Sequence, residues 1–348
     1  MRIAVDAMGG DFAPAAVVAG AVDAARELGA HLLLVGDREA VERELAGVNP
    51  MPPRLEVVHA DEVVGMDDPA TAPIRRKRRS SVRICAELVR DGQAEAMVTA
   101  GNTGAAMVAA KVVAGTIEGV DRPALAAVLP NAGGHTVLLD VGANVDSRPR
   151  HLREFAVMGH FYAQEVLGMS HPRVGLLSIG EEEVKGSDLT RQVYQVMETT
   201  GLHFIGNVEG GDIFNGKADV VVCDGFVGNA VLKSAESIAE LVGSMLRTEL
   251  EHSLRARLGA VLAAPALKRL RRRTDYSEYG GAALLGINGG CFIGHGRSNP
   301  RAVHSMIRRA AEFCEADLHN QIRRKVADLH AEEARLLGAA EAPEVSAG

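Results

Sequence analysis

The sequence has no tryptophan, and aromatic residues fill only 3% of its 348 positions. That leaves no platform for stacking the bases of single-stranded nucleic acid. A net charge of −7 also argues against a general nucleic-acid face, so no nucleic-acid partner is expected. Cysteine is scarce: Cys85, Cys223, Cys291 and Cys314 lie far apart and form no C-x-x-C pair. This is the usage of reduced thiols in a cytosolic protein, each read as a small buried hydrophobe. No stretch approaches the ~20 apolar residues of a spanning helix. Met1-Arg-Ile-Ala-Val-Asp6 opens as a strand without a charged export region. The expectation is a cytoplasmic location with peripheral membrane contact at most. H-E-x-x-H, G-x-S-x-G and metal-ligand spacings are missing too, so neither a metal nor a cofactor is expected.

What remains is ordinary globular chemistry, 47% hydrophobic and 24% charged, with many glycines, 38 in all. Short apolar runs end repeatedly in small-residue loops. Ile3–Val5 leads into Asp6-Ala-Met-Gly-Gly-Asp11, and Ala96–Thr99 leads into Ala100-Gly-Asn-Thr-Gly104. Thr136–Val141 runs into Gly142-Ala-Asn144, and Ala218–Asp224 into Gly225-Phe-Val-Gly-Asn229. Helical spacing follows most of these loops, as with Val17, Val18, Ala21, Val22, Ala25 and Leu28 after Pro14. Asp37, Asn102 or Thr103, and Ser298 or Asn299 with Pro300 read as helix starts. Strand, loop and helix in this order predict an α/β fold with a mostly parallel central sheet and helices on both faces. The pattern predicts one α/β domain over 1–337 and a frayed tail over 338–348.

Three segments stand out. The run Arg173-Val-Gly-Leu-Leu-Ser-Ile-Gly180 reads as a buried parallel strand, with Glu181–Glu183 expected in the positive first turn of the next helix and Lys185 among them. Gly180-Glu-Glu-Glu-Val-Lys-Gly-Ser187 looks like a Walker A loop with its last Gly and Lys exchanged, but three glutamates would repel a triphosphate. Arg75, Arg76, Lys77, Arg78 and Arg79 form a basic run. The third segment, about 241–275, reads as an inserted helical hairpin that Pro265 should interrupt. It would leave an apolar tip (Val261, Leu262, Leu267) before Lys268 and Arg269, which suits either packing across a dimer or binding anionic lipid. The glycine loops, Lys185 and His295-Gly-Arg297 together suggest one site for a small phosphate-like anion.

Asp6-Ala-Met-Gly-Gly-Asp11, Ala100-Gly-Asn-Thr-Gly104, Arg122-Pro-Ala-Leu125, Leu139-Asp-Val-Gly-Ala-Asn144 and Gly180-Glu-Glu-Glu-Val-Lys-Gly186 resemble the bacterial phosphate acyltransferase family of phospholipid synthesis. So do Gly206-Asn-Val-Glu-Gly210, Cys223-Asp-Gly-Phe-Val-Gly-Asn229 and Tyr279-Gly-Gly-Ala282. The resemblance implies a fold like the isocitrate and isopropylmalate dehydrogenases and the phosphotransacetylases. It also implies an enzyme that makes acyl phosphate from fatty acyl carrier protein and inorganic phosphate, a homodimer, and peripheral membrane association.

On that reading Lys185, Asn229 and His295 are the candidate catalytic residues. Asp6, Gly9, Gly10, Asp11, Gly101, Asn102, Thr103, Gly104, Asn144, Gly180 and Gly228 are the candidate substrate-binding residues. Most of the aspartates, Asp140 and Asp224 among them, are assigned to loop architecture, because a carboxylate facing phosphate repels it. Lys185 can clamp the anion, accept the acyl group, or merely neutralise Glu181–Glu183, and His295 can donate to phosphate or to backbone. The basic run is a candidate dock for the acidic carrier protein. Two competing readings are a phosphotransacetylase-like enzyme using acyl coenzyme A and a non-catalytic membrane-surface scaffold that binds the carrier protein.

Overall fold

In the computed structural model the apolar runs pair as an eleven-stranded sheet in the order β3-β2-β1-β4-β11-β10-β5-β6-β9-β7-β8. The strands are β1 (Arg2–Asp6), β2 (His31–Gly36), β3 (Leu55–His59), β4 (Ala96–Thr99), β5 (Ala124–Pro130), β6 (His135–Leu139), β7 (Val174–Leu177), β8 (Phe204–Val208), β9 (Val220–Val222), β10 (Ala282–Leu285) and β11 (Gly290–Ile293). The structure describes residues 1–274, 280–316 and 318–340, with side chains left out over 271–274 and 332–340. Tyr279, the side chains at 271–273 and the tail from residue 341 therefore lie outside the described residues.

Alternate residues of a strand face opposite sides, and here both sides are covered. Ile3 and Val5 pack into one apolar cluster with Val18, Val303 and Ile307, from α1 (Ala15–Leu28) and α11 (Pro300–Glu315). Ala4 enters the opposite cluster with Val82 and Cys85 of α4 (Ser81–Arg90). The predicted two-sided, mostly parallel sheet is what forms.

The sheet consists of two parallel halves that run in opposite directions. Strands β3, β2, β1, β4 and β11 are mutually parallel, and so are β6, β9, β7 and β8. Between them β10 is antiparallel to both β11 and β5, and β5 is antiparallel to β6. Loops that follow β1, β4 and β11 therefore leave at one edge of the sheet, and loops that follow β6, β9, β7 and β8 leave at the other.

The hairpin differs from its prediction. Helix α9 (Gly225–Glu251) and helix α10 (Leu254–Thr274) turn at His252–Ser253, and Pro265 sits inside α10. Ser253 accounts for this, because its Oγ accepts the Ala256 N–H at 3.1 Å and starts a new helix. An exposed helix tolerates one proline because the freed carbonyl can turn to water. The predicted apolar tip is instead a stripe along α10, with Leu254, Leu258, Val261 and Leu262 exposed at 65–83%. Among the described residues no helix is long and apolar enough to cross a membrane. The helix expected from Pro300 is likewise split, into α11 and α12 (Leu318–Ala340).

Candidate active site

At the first edge Asp6 organises the loops. Its buried carboxylate accepts the Thr99 hydroxyl at 2.7 Å and the Met8 N–H at 3.3 Å, and Thr99 Oγ1 in turn accepts the Gly101 N–H at 3.0 Å. Burial pushes the carboxyl above its ordinary range, against the opposing pull of hydrogen bonds from Ser81, Thr99, Met8 and Gly9. A Cβ on Gly9 would stand 2.7 Å from Asp6 Oδ2 and 2.8 Å from the Gly101 nitrogen, so the two loops touch only because Gly9 is glycine. Gly10 lies against Gly296, whose carbonyl accepts the Asp11 N–H at 2.7 Å. Asn102 is used by the fold. Its Oδ1 caps α5 (Thr103–Ala109) by accepting the Ala105 N–H at 3.0 Å, and its Nδ2 donates to the Met66 and Asp68 carbonyls, both at 2.9 Å. Thr103 and Gly104 open that helix. His295 is exposed, with Nδ1 accepting the Arg297 N–H at 3.3 Å and its carbonyl accepting the Ser298 hydroxyl at 2.6 Å.

The basic run lies beside these loops and is not uniform. Lys77 Nζ donates to Asp68 Oδ2 at 2.6 Å and to the Val63 carbonyl at 2.8 Å, so it belongs to the fold. Arg79 pairs with Asp61. Arg75, Arg76 and Arg78 point outward as exposed charges.

The second edge carries the other predicted residues. The fully buried Asp140 carboxylate accepts five hydrogen bonds: from the N–H groups of Leu125, Gly142, Ala143 and Asn144 at 2.6–3.1 Å, and from Asn144 Nδ2 at 2.9 Å. Burial raises its pKa, and the donors from Ala143, Leu125 and Asn144 pull the other way. Helix α9 presses directly on this loop. A Cβ on Gly228 would lie 1.9 Å from the Asp140 carbonyl oxygen, and one on Gly225 would lie 2.6 Å from the Asn144 carbonyl oxygen. Asp224 caps α9 through the Phe226 and Val227 N–H groups, both at 3.0 Å. Because the helix begins at Gly225, Asn229 stands one turn inside it, exposed above Gly142, and not in a loop as the sequence suggested.

Lys185 lies at this same edge, after β7. Helix α7 (Asp188–Glu198) starts later than the acids suggested, with Ser187 Oγ accepting the Thr190 N–H at 3.2 Å. Glu181–Glu183 lie in exposed turns ahead of it, because Gly186 at φ +98° breaks the path into the helix. Gly180 lets the Lys185 stem cross over it, since a Cβ there would stand 3.1 Å from Lys185 Cγ. The partner of Glu181 is Lys217 Nζ, at 2.6 Å. Among the described residues the Lys185 ammonium has no ion pair or hydrogen bond. Glu181 thus has its own lysine partner, and Lys185 stands exposed in the same turn.

A family model described as "Fatty acid synthesis protein" matches residues 1–321. The chain is 50% identical over 326 residues to the phosphate acyltransferase of Geobacter sulfurreducens, covering 94% of each chain. It is also 50% identical over 326 residues to that of Pelotomaculum thermopropionicum, covering 94% of this chain and 95% of the other. The chain belongs to the phosphate acyltransferase family. It is an enzyme, an acyltransferase of fatty acid synthesis. Among solved structures it resembles a phosphotransacetylase from Streptococcus pyogenes (TM-score 0.60, 15% identity, 90% of this chain and 94% of that one). It resembles a EutD phosphotransacetylase from Staphylococcus aureus equally closely in coverage, with TM-score 0.57 and 15% identity. At that identity the likeness concerns the fold.

The candidate loops thus leave the sheet in two groups. Asp6–Asp11, Gly101–Gly104 and His295 leave the sheet at one edge, and Asn144, Gly180, Lys185, Gly228 and Asn229 at the other. The cause is the reversal at β10 and β5, which no local spacing reveals. Sequence reasoning also missed Lys217, because its partner Glu181 is 36 positions away. The thiols stay inert: burial pushes Cys85 and Cys223 well up, and Cys291 and Cys314 up to about 12.

Proposed function

We propose that the chain makes acyl phosphate from fatty acyl carrier protein and inorganic phosphate, and that phosphate binds at the second edge between Lys185 and the Asn144 and Asn229 loops. One observation carries this reading: the Lys185 ammonium is exposed and, among the described residues, makes no ion pair or hydrogen bond, while Glu181 in the same turn is paired with Lys217. Glu181 therefore does not need Lys185 as its counter-ion. A phosphate oxygen attacks the thioester carbonyl carbon, the carbonyl oxygen gains charge, and the C–S bond breaks to release the carrier's thiolate. That thiol has a pKa of about 8.5 and leaves without a strong general acid. Positioning and charge stabilisation are what the protein must supply, and an ammonium beside loop amides supplies both. An acyl-lysine intermediate is disfavoured, because amides are poor acyl donors.

Arg75, Arg76 and Arg78 form the dock for the acidic carrier, with Lys77 and Arg79 held back by Asp68 and Asp61. The exposed stripe Ile238, Leu241, Val242 and Met245 on α9 is the face for a homodimer. The α10 stripe with Lys268 and Arg269 is the face for an anionic membrane surface. For the first group, Thr103, Gly104 and His295 remain candidates for holding the donor, whereas the Asn102 side chain is occupied by its cap and tether.

Steady-state kinetics with trapped acyl phosphate test the Lys185 assignment. Lys185→Met is expected to lower kcat/KM for phosphate by about 100-fold or more, the size of one lost charge-stabilising donor. Wild-type turnover by that variant would remove Lys185 from both the clamping and the acyl-accepting role.

A further inference from the structure

Beneath the Lys185 turn lies an asparagine to which the mechanism so far gives no role. The Glu182 carbonyl oxygen accepts two hydrogen bonds, from the Lys185 backbone N–H at 3.0 Å and from Asn207 Nδ2 at 2.8 Å. The side chain of Asn207 on β8 and the backbone of Lys185 therefore meet on one atom. Asn207 is 3% exposed, so its contribution to that turn is made from the core and not from a mobile surface.

The path of β8 is shaped to put this residue there. Val174 pairs with Phe204, but two residues later Leu176 pairs with Asn207, so β8 carries one extra residue. Gly206 at φ +88° absorbs it. Without the bulge Gly206 would stand opposite Leu176, and Asn207 would face the other side of the sheet. Bulges that re-aim one side chain are common beside active sites.

Half of the amide is unused. Among the described residues Asn207 Oδ1 is buried with no hydrogen-bond partner, and so is the hydroxyl oxygen of Ser178, the residue that follows β7. A Cβ on Gly186 would lie 2.7 Å from that hydroxyl, which places it under the same turn. A buried acceptor without a donor costs stability, so an asparagine kept only to staple the loop would be a poor choice.

We propose that Asn207, re-aimed by the Gly206 bulge, is a positioning residue that fixes the Lys185 turn through the Glu182 carbonyl. The inference rests on the assignment of Lys185 to phosphate. Asn207 touches no reacting atom in this account; it sets where the ammonium stands.

A double-mutant cycle on the full chain tests it, with acyl phosphate formation measured for Asn207→Ala, Lys185→Met and the double variant. Asn207→Ala is expected to lower kcat/KM for phosphate about 10- to 100-fold, as ångström-scale misplacement does. In the Lys185→Met background the same change is expected to cost nothing more. Near-isosteric Asn207→Leu keeps the packing but has no donor, and it should match Asn207→Ala. Faster hydrogen exchange of the Lys185 amide in either variant would register the loosened turn independently of activity. Multiplicative losses in the double variant, or wild-type rates for Asn207→Leu, would overturn the proposal. Full activity of Lys185→Met alone would instead overturn the phosphate assignment beneath it, so the two failures are separable.

Discussion

Arg173 and Asp219 show how single residues frame the second edge. Arg173 donates through Nε, Nη2 and its backbone N–H to the Asp219 carboxylate, each at 2.8 Å, and so ties the entry of β7 to that of β9. Burial raises the Asp219 pKa, but the hydrogen bonds and charge of Arg173 outweigh it and leave the carboxyl below its ordinary range. A depressed carboxyl contributes stability above its unfolded pKa and loses it as pH falls through the folded value. Arg173 is 39% exposed, so solvent screens the pair and Arg173→Ala should cost at most about 1 kcal/mol near neutral pH. Urea unfolding at about pH 6 and about pH 2.5 checks the sign: the gap between wild type and variant should close in acid. A gap that persisted at the lower pH would mean the charge pair is not its source. At this scale the sequence is legible for caps, since Asp37, Asn102, Asp224 and Asn299 each accept from a first-turn N–H. It is illegible for ion pairs such as Lys217–Glu181, whose partners only the fold brings together.

Elements were legible in kind and less so in their ends. The buried runs became strands because β-branched and aliphatic residues covered on both faces favour a parallel sheet. Proline misled the reading of the hairpin. Pro265 is the stronger local breaker, yet the chain turns at Ser253, because an exposed helix tolerates one missing donor and Ser253 supplies a cap. The two apolar stripes then separate by position, one on α9 and one on α10. Leu262→Glu places a charge where 78% of the side chain is exposed, and it should abolish most binding to anionic vesicles while leaving the dimer intact. Met245→Glu should do the reverse and yield monomers in sedimentation velocity. Equal vesicle binding by Leu262→Glu would count against the α10 face as the membrane contact.

For the molecule as a whole, the ordered motifs from Asp6-Ala-Met-Gly-Gly-Asp11 to Cys223-Asp-Gly-Phe-Val-Gly-Asn229 carried the family, and relatives at 50% identity place the chain in that same family. The reversal of strand direction was hidden, because it depends on β10 and β11 returning to the centre of the sheet from more than 150 residues beyond β4. That reversal sends the Asp6 loops and the Lys185 turn off opposite ends of the parallel strands. We propose that phosphate at the Lys185 edge takes the acyl group from an acidic carrier protein. The most direct test compares acyl phosphate formation from phosphate with acyl carrier protein and with acyl coenzyme A thioesters, using wild type and a variant with Arg75, Arg76 and Arg78 changed to Glu. The account predicts a higher kcat/KM for the carrier-bound donor, lost in the variant through KM for the carrier and with KM for phosphate unchanged. Equal use of both donors, with the variant indistinguishable from wild type, would contradict it.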